Sequence, residues 1–250
     1  LKMRVIRKIL PYFVVGTFIL CLLTFVPGIS VERNGARRWL RMPLSFTLQP
    51  SEFVKFAVVL FLANLFDKQA DIADKTRRTV LPQVIGLSLF VIIIFFQKDF
   101  STGAFIFFIG LLIFFVTGAK LSWLGPFLVL AVPAMILMVT TQEYRMGRII
   151  AFLRPQAGEL TYNYQSIAAK RAISAGGFWG SGIGSGLTWI NTIPEVQADY
   201  IFAGWTEAMG FVGVLAYLAL LGVFAWRGYR TAAYCGNRFA SVSVFGCVTM

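Results

Sequence analysis

Glu52 and Lys55 place a carboxylate and an ammonium three residues apart, inside Gln49-Pro50-Ser51-Glu52-Phe53-Val54-Lys55. The apolar run Phe56–Phe66 follows at once. Residues three apart share one face of a helix. Pro50 suits the first helical position, where its missing N–H has no partner, and Glu52 in the first turn complements the positive helix end. At about 1.5 Å per residue, Lys55 lies roughly 7 Å beyond Pro50. Ionisable groups at that depth usually face a protein interior or a wet cavity. The residues alone leave two readings open: an ion pair that anchors a helix end, or a cation and its orienting acid at a polar site. Asp199 is a second candidate carboxylate. It precedes the apolar run from Tyr200, and by itself would suit a helix N-cap.

The elements that must hold these groups are membrane spans. The chain is 58% apolar, with 25 Phe in 250 residues. Apolar stretches run Pro11–Pro27, Phe53–Phe66, Val80–Phe96, Thr102–Ala119, Trp123–Thr140 and Tyr200–Trp226. Several approach the lower end of the spanning range of about 17–25 residues. Backbone groups in lipid must be satisfied within their own segment, so helices are expected. Barrel strands would alternate apolar and polar residues, which these runs do not. The expectation is an all-α, polytopic bundle forming a single domain over 1–250, with six spans and a seventh beginning near Phe239. One long outer loop covers about 142–199. Opening on Leu1 and stopping at Met250 within an apolar stretch, the sequence reads as an internal fragment, truncated at both ends.

Several chemistries drop out. Without histidine there is no Ser-His-Asp triad, no imidazole base and no His-bound metal. Cys21, Cys235 and Cys247 have no CxxC spacing and read as small apolar fillers. No Walker A loop appears, and the glycines of 176–186 follow no βαβ unit. Any metal site would use oxygen ligands such as Asp99, Glu52 or Asp199; the need for a cofactor is not legible.

Net charge is +12. With Lys2–Lys8 cytoplasmic, alternation of the spans puts 12 of the 23 basic residues on that side. The remainder, among them Arg37 and Arg38, fall outside. Short loops normally show a clear cytoplasmic excess. A near-tie implies a separate reason for outer basic residues, and a phosphorylated lipid supplies one, because arginine pairs bidentately with phosphate. Escape of the long outer loop from the rule is the plainer alternative. Within that loop, Gln165–Ala175 reads as a short helix with Ile167, Ala168, Ala172 and Ile173 on a weak apolar face. Gly176-Gly177 ends it, and the glycines up to Gly186 allow close backbone approach to a ligand or another loop.

Taken together, Gly35-Ala36-Arg37-Arg38-Trp39, the segment 49–55, Tyr164-Gln165 with Ala168 and Ala172, the glycines 177, 180, 182 and 184, and Ile193-Pro194-Glu195 through Asp199-Tyr200-Ile201-Phe202-Ala203 carry a family pattern. In this order they resemble the SEDS proteins (shape, elongation, division and sporulation), the RodA/FtsW-like peptidoglycan glycosyltransferases. The resemblance covers essentially the whole chain. It implies a multi-pass protein of the bacterial cytoplasmic membrane, with its active site facing outside. It also implies polymerisation of lipid II beside a class B penicillin-binding protein, in contact with membrane lipids and with no nucleic-acid partner.

By the same resemblance Asp199 is the catalytic acid of the family's Pro-Glu-x-x-x-Asp motif, and Arg37, Arg38, Glu52 and Lys55 lie in or near one cavity on the outer side. The implied reaction joins a sugar hydroxyl to an anomeric carbon, inverts configuration and expels a lipid diphosphate. Asp199 would take the hydroxyl proton. Arg37, Arg38 and Lys55 would hold the diphosphate, and Glu52 would orient Lys55. The sequence departs from the pattern in three places. Gln-Pro-Asp-x-Gly-Thr appears as Gln97-Lys98-Asp99-Phe100-Ser101-Thr102, the second acid of Glu-Glu-x-Gly is Ala208, and Thr47 replaces a basic residue. A lipid II flippase and a non-catalytic scaffold for the transpeptidase are the rival readings.

Overall fold

The computed structural model describes residues 3–33, 36–43, 46–69, 77–118, 160–184 and 200–250, with isolated positions between 125 and 153. The chain divides into two compact units, 1–132 with 225–250, and 133–224.

In the first unit, α1 (Met3–Leu23) leads into a small antiparallel sheet: β1 (Ser30–Arg33), β2 (Ala36–Arg41) and β3 (Thr47–Leu48). The helical bundle expected from the sequence carries this small sheet in addition, which the all-α reading left out. With three arginines, Ala36–Arg41 is too polar for a span, and it pairs with β1 on one side and β3 on the other, which a single-segment reading does not reveal. α2 (Pro50–Lys68), α3 (Arg77–Phe96) and α4 (Phe100–Val116) follow, and α7 (Arg238–Thr249) closes the unit. Pro50 is the first residue of α2, as its chemistry requires.

α2 is the centre of this unit and packs against α1, α3, α4 and α7. Val54, Ala57, Val58, Val59, Leu62 and Ala63 are all buried. Phe66 meets Phe114 of α4 edge to face, with ring centroids 5.0 Å apart. Small residues bring the helices close: a Cβ on Gly246 of α7 would lie 2.5 Å from a Val59 methyl. By contrast Ile85, Leu89, Ile92 and Phe96 form an exposed apolar stripe on α3, while Leu87, Phe90, Val91 and Ile94 are buried on its other faces. A helix that is apolar all round suits lipid rather than water. Among the described residues, α1 and α6 (Ile201–Tyr234) are long and apolar enough to cross a membrane alone. Val80–Phe96, Phe100–Val116 and Arg238–Thr249 are apolar but shorter. Most of the expected span Trp123–Thr140 lies outside the described residues, although Gly125, Val129, Pro133, Ile136 and Thr140 are helical.

The end of the first unit away from the sheet is fastened by Asp67. It pairs with Arg7 of α1 and accepts the Phe239 backbone N–H at 3.1 Å, so one carboxylate joins α1, α2 and α7. The Arg7 guanidinium also lies over the Phe239 ring at 4.7 Å.

In the second unit, α5 (Leu160–Gly176) buries Ala168, Ala169 and Ala172, with Ala168 and Ala169 packing beside Ala203 and Tyr200. Ile173, expected on the apolar face, is exposed. α6 begins at Ile201 and breaks at Gly210, where φ is 63° and ψ is −166°. The uninterrupted span expected over Tyr200–Trp226 is therefore a kinked one. The glycine loop after α5 fills the break. Ser181 N–H donates to Glu207 O and Gly182 N–H to Ala208 O, both at 3.0 Å. In return, Phe211 N–H donates to Gly177 O and Val212 N–H to Phe178 O. In an unbroken helix Glu207 O and Ala208 O would have served Phe211 and Val212. Two helical rungs are thus replaced by four bonds to the loop, which serve peptide groups that the kink would otherwise leave open. Contact this close requires glycine on both sides. A Cβ on Gly180 would collide with Ala208 O, and one on Gly210 would lie 2.7 Å from Phe178 O.

Candidate active site

The sheet, the start of α2 and the α3–α4 turn bring the polar groups of the first unit together. β1 and β2 pair as Val31 with Trp39 and Glu32 with Arg37, which leaves Arg38 without an opposite number. Such a bulge turns a side chain out of the regular alternation. Arg38 uses that freedom to donate from Nη2 to Lys98 O at 3.1 Å, while Nη1 stands 3.5 Å from Asp99 Oδ1. Its guanidinium also lies 5.7 Å from the centre of the Trp39 ring.

Asp99 is the node of this arrangement. Its side chain is only 4% exposed. Oδ2 accepts from Gln49 Nε2 at 3.0 Å, and Oδ1 accepts from Thr102 N–H at 3.4 Å as the N-cap of α4. Gln49 occupies the N-cap position of α2 but makes no capping bond with its side chain, which donates instead to Ser51 and Asp99. Next to Asp99, the buried Gln97 reaches the other way and donates to Cys21 O and Thr24 Oγ1 at the end of α1.

One turn into α2, Lys55 Nζ stands 2.7 Å from Glu52 Oε2, and Lys55 also lies 5.9 Å above the Phe105 ring of α4. Lys55 is 21% exposed and Glu52 55%, so the pair sits at a rim with the acid on the open side. Arg37 pairs with Glu32 at 3.1 Å, both well exposed. Each of the three cations read from the sequence therefore has its own acid. The structure gathers Arg38, Glu52 and Lys55 at the end of the first unit where Asp99 and Gln49 sit. It turns Arg37 toward its hairpin partner Glu32.

Asp199 lies outside the described residues. Tyr200 O accepts from Ala203 N–H at 3.0 Å and from Gly204 N–H at 3.4 Å. The cap position of α6 accordingly belongs to Tyr200, one residue after Asp199 in the sequence. Glu207, two turns into α6, is buried, and its Oε2 has no partner among the described residues. No three His, Cys, Asp or Glu side chains gather as a metal site among the described residues.

Gln49 and Asp99 are the members that sequence reasoning undervalued. Gln49 was visible ahead of Pro50, and Asp99 stands three residues before Thr102 in an N-capping pattern. Neither spacing reveals that the two side chains meet.

Residues 1–250 match the family model of the FtsW, RodA and SpoVE cell cycle proteins. The chain belongs to the FtsW/RodA/SpoVE family. It is 32% identical over 231 residues to a probable peptidoglycan glycosyltransferase FtsW of Geobacter sp. (strain M18), covering 92% of this chain and 63% of that protein. It is 33% identical over 234 residues to stage V sporulation protein E of Bacillus subtilis (strain 168), covering 93% and 63%. The FtsW/RodA/SpoVE fold recurs in solved structures. A chain of a peptidoglycan synthase complex, described as coordinating polymerization and crosslinking, matches with a TM-score of 0.70 and 23% identity, over 99% of this chain and 68% of that one. RodA of Thermus thermophilus matches with a TM-score of 0.65 and 22% identity, over 99% and 64%. These likenesses establish a RodA-like helical bundle. The chain spans about 63% of the length of the curated relatives named above.

Proposed function

We propose that the full-length protein polymerises lipid II into glycan strands at the outer face of the bacterial cytoplasmic membrane, beside a class B penicillin-binding protein. The whole of 1–250 acts as one SEDS-type transmembrane domain in this reading. The observation that carries it is the placement of Arg38, Lys55 and Glu52 at one end of a RodA-like bundle, in a chain of this family. A lipid diphosphate carries its negative charge where such cations are useful. Lys55 exchanges Glu52 for a phosphate oxygen, whereas Arg38 meets the diphosphate from a fixed position. Arg37 serves as an outer, salt-sensitive contact. Asp199 takes the proton of the attacking hydroxyl, and the lipid diphosphate leaves from the opposite face of the anomeric carbon. One base suffices for such an inverting displacement, without a covalent intermediate, as in the base half of inverting hydrolysis.

The deciding experiment uses the purified full-length protein with its transpeptidase, the latter made glycosyltransferase-silent, and follows glycan strands formed from lipid II. Polymer that depends on this protein supports the reading; lipid II bound but never polymerised would end it. One observation favours a flippase instead: α6 is interrupted at Gly210, and broken helices are common in transporters. Movement of labelled lipid II across vesicles by the full-length protein, with no polymer formed, would select that alternative.

A further inference from the structure

Groups from four elements converge on the two-residue turn Lys98-Asp99: Arg38 from the bulge of β2, Gln49 from the start of α2, the Thr102 N–H from α4, and the end of α3 itself. α3 stops through Lys98 N–H donating to Phe95 O at 2.9 Å and Asp99 N–H donating to Ile94 O at 3.2 Å. That pair of bonds is the Schellman ending, which normally places glycine in the left-handed position. Here the position is held by Lys98, with φ of 60°, the one non-glycine residue of positive φ among the described residues. Proline, which stands there in the family pattern, could neither donate that N–H nor adopt that φ. The turn is therefore built in this chain's own way, and it leaves the Lys98 carbonyl and the Asp99 carboxylate both within reach of Arg38.

We propose that Asp99 is a positioning residue: with the Lys98 carbonyl it fixes the Arg38 guanidinium, whose Nε is buried, so that the remaining Nη hydrogens meet the substrate diphosphate. Arg38 sits on a hairpin bulge, and an untethered guanidinium there would sample many rotamers. Two anchors from one turn hold it, and Gln49 holds the anchoring carboxylate from its other oxygen. Donors fixed in advance bind an anion without reorganising. Its remaining 31% exposure leaves Arg38 open to a ligand. The inference rests on the lipid II reading above.

The test is a mutant cycle on lipid II affinity in the full-length protein. Asp99→Asn keeps an oxygen for the Thr102 N–H, so α4 stays capped while Arg38 loses its anion. Affinity should fall roughly tenfold or more, the range for a hydrogen bond to a charged group. In an Arg38→Gln background the same change should cost nothing further, because Asp99 acts through Arg38. Gln49→Ala approaches the same carboxylate without touching the cap; its smaller loss should vanish in that background as well. Losses that multiply, or unchanged affinity in Asp99→Asn, would overturn the positioning role while leaving the lipid II reading intact. A wild-type protein with no affinity for lipid II would overturn both.

Discussion

Lys55 reaches Glu52 across a single turn of α2, and the acid is the more exposed partner by a wide margin. An ion pair open on its acidic side contributes little to stability, about 0–1 kcal/mol, and gives way readily to a competing anion. Lys55→Met keeps most of the length and removes the cation. Lipid II affinity and turnover should both fall, by roughly tenfold, while the melting temperature in detergent barely moves. Lys55→Arg should recover only part of the loss, since a planar fork does not replace a point charge. Unchanged affinity and rate in the Met variant would return the pair to a structural role.

Arg37 and Arg38 are neighbours in sequence but not equivalents in structure. Arg37 pairs with Glu32 on the open face of the hairpin, whereas Arg38 is tethered to Lys98 O and Asp99. Arg37→Gln should weaken lipid II binding slightly, with a deficit that disappears at high salt. Arg38→Gln should weaken it more, and part of the loss should persist in salt because buried or half-buried pairs are screened less. Titration of both variants at two ionic strengths separates these outcomes; equal and fully screened losses would contradict the division.

Asp199→Asn removes a base while preserving shape. Because Tyr200 holds the cap position of α6, expression and thermal stability should match wild type. Polymerisation should drop by about 10²–10⁴-fold, the span of a lost general base. Glycan formation at near wild-type rate, measured by gel analysis of strands, would remove Asp199 from the chemistry.

Gly210→Ala attacks the loop–helix junction. The added methyl would meet Phe178 O and the Gly180 backbone at a positive φ. Overpacking and left-handed strain together predict a loss of roughly 2–5 kcal/mol. Thermal unfolding in detergent should show it, and Gly222→Ala, with open space at its Cβ, serves as the comparison.

The helices were legible because apolar runs in lipid have one backbone solution. Pro50 marked the start of α2, and Gly176-Gly177 marked the end of α5. The small sheet was not legible, since the segment 30–48 carries no alternation strong enough to announce strands and its register depends on a bulge at Arg38. The kink at Gly210 was hidden for a related reason: Phe202–Trp226 is apolar apart from Thr206 and Glu207, and what fills the break is a loop some thirty residues earlier. Lys55 and Glu52 met through local spacing, which sequence displays. Arg38, Gln49 and Asp99 met through tertiary contact, which it does not.

The exchange of rungs between the glycine loop and α6 also constrains assembly. Phe211 and Val212 donate to carbonyls of Gly177 and Phe178, which leave the ribosome first. In its bent form α6 gives up two of its own turn-closing bonds, and the loop replaces them. A helix inserting alone would either straighten, turning Gly210 into an ordinary position, or carry bare peptide groups into hydrocarbon. The bend in α6 is therefore not a property of its own sequence alone: it exists only while the loop is docked in the break.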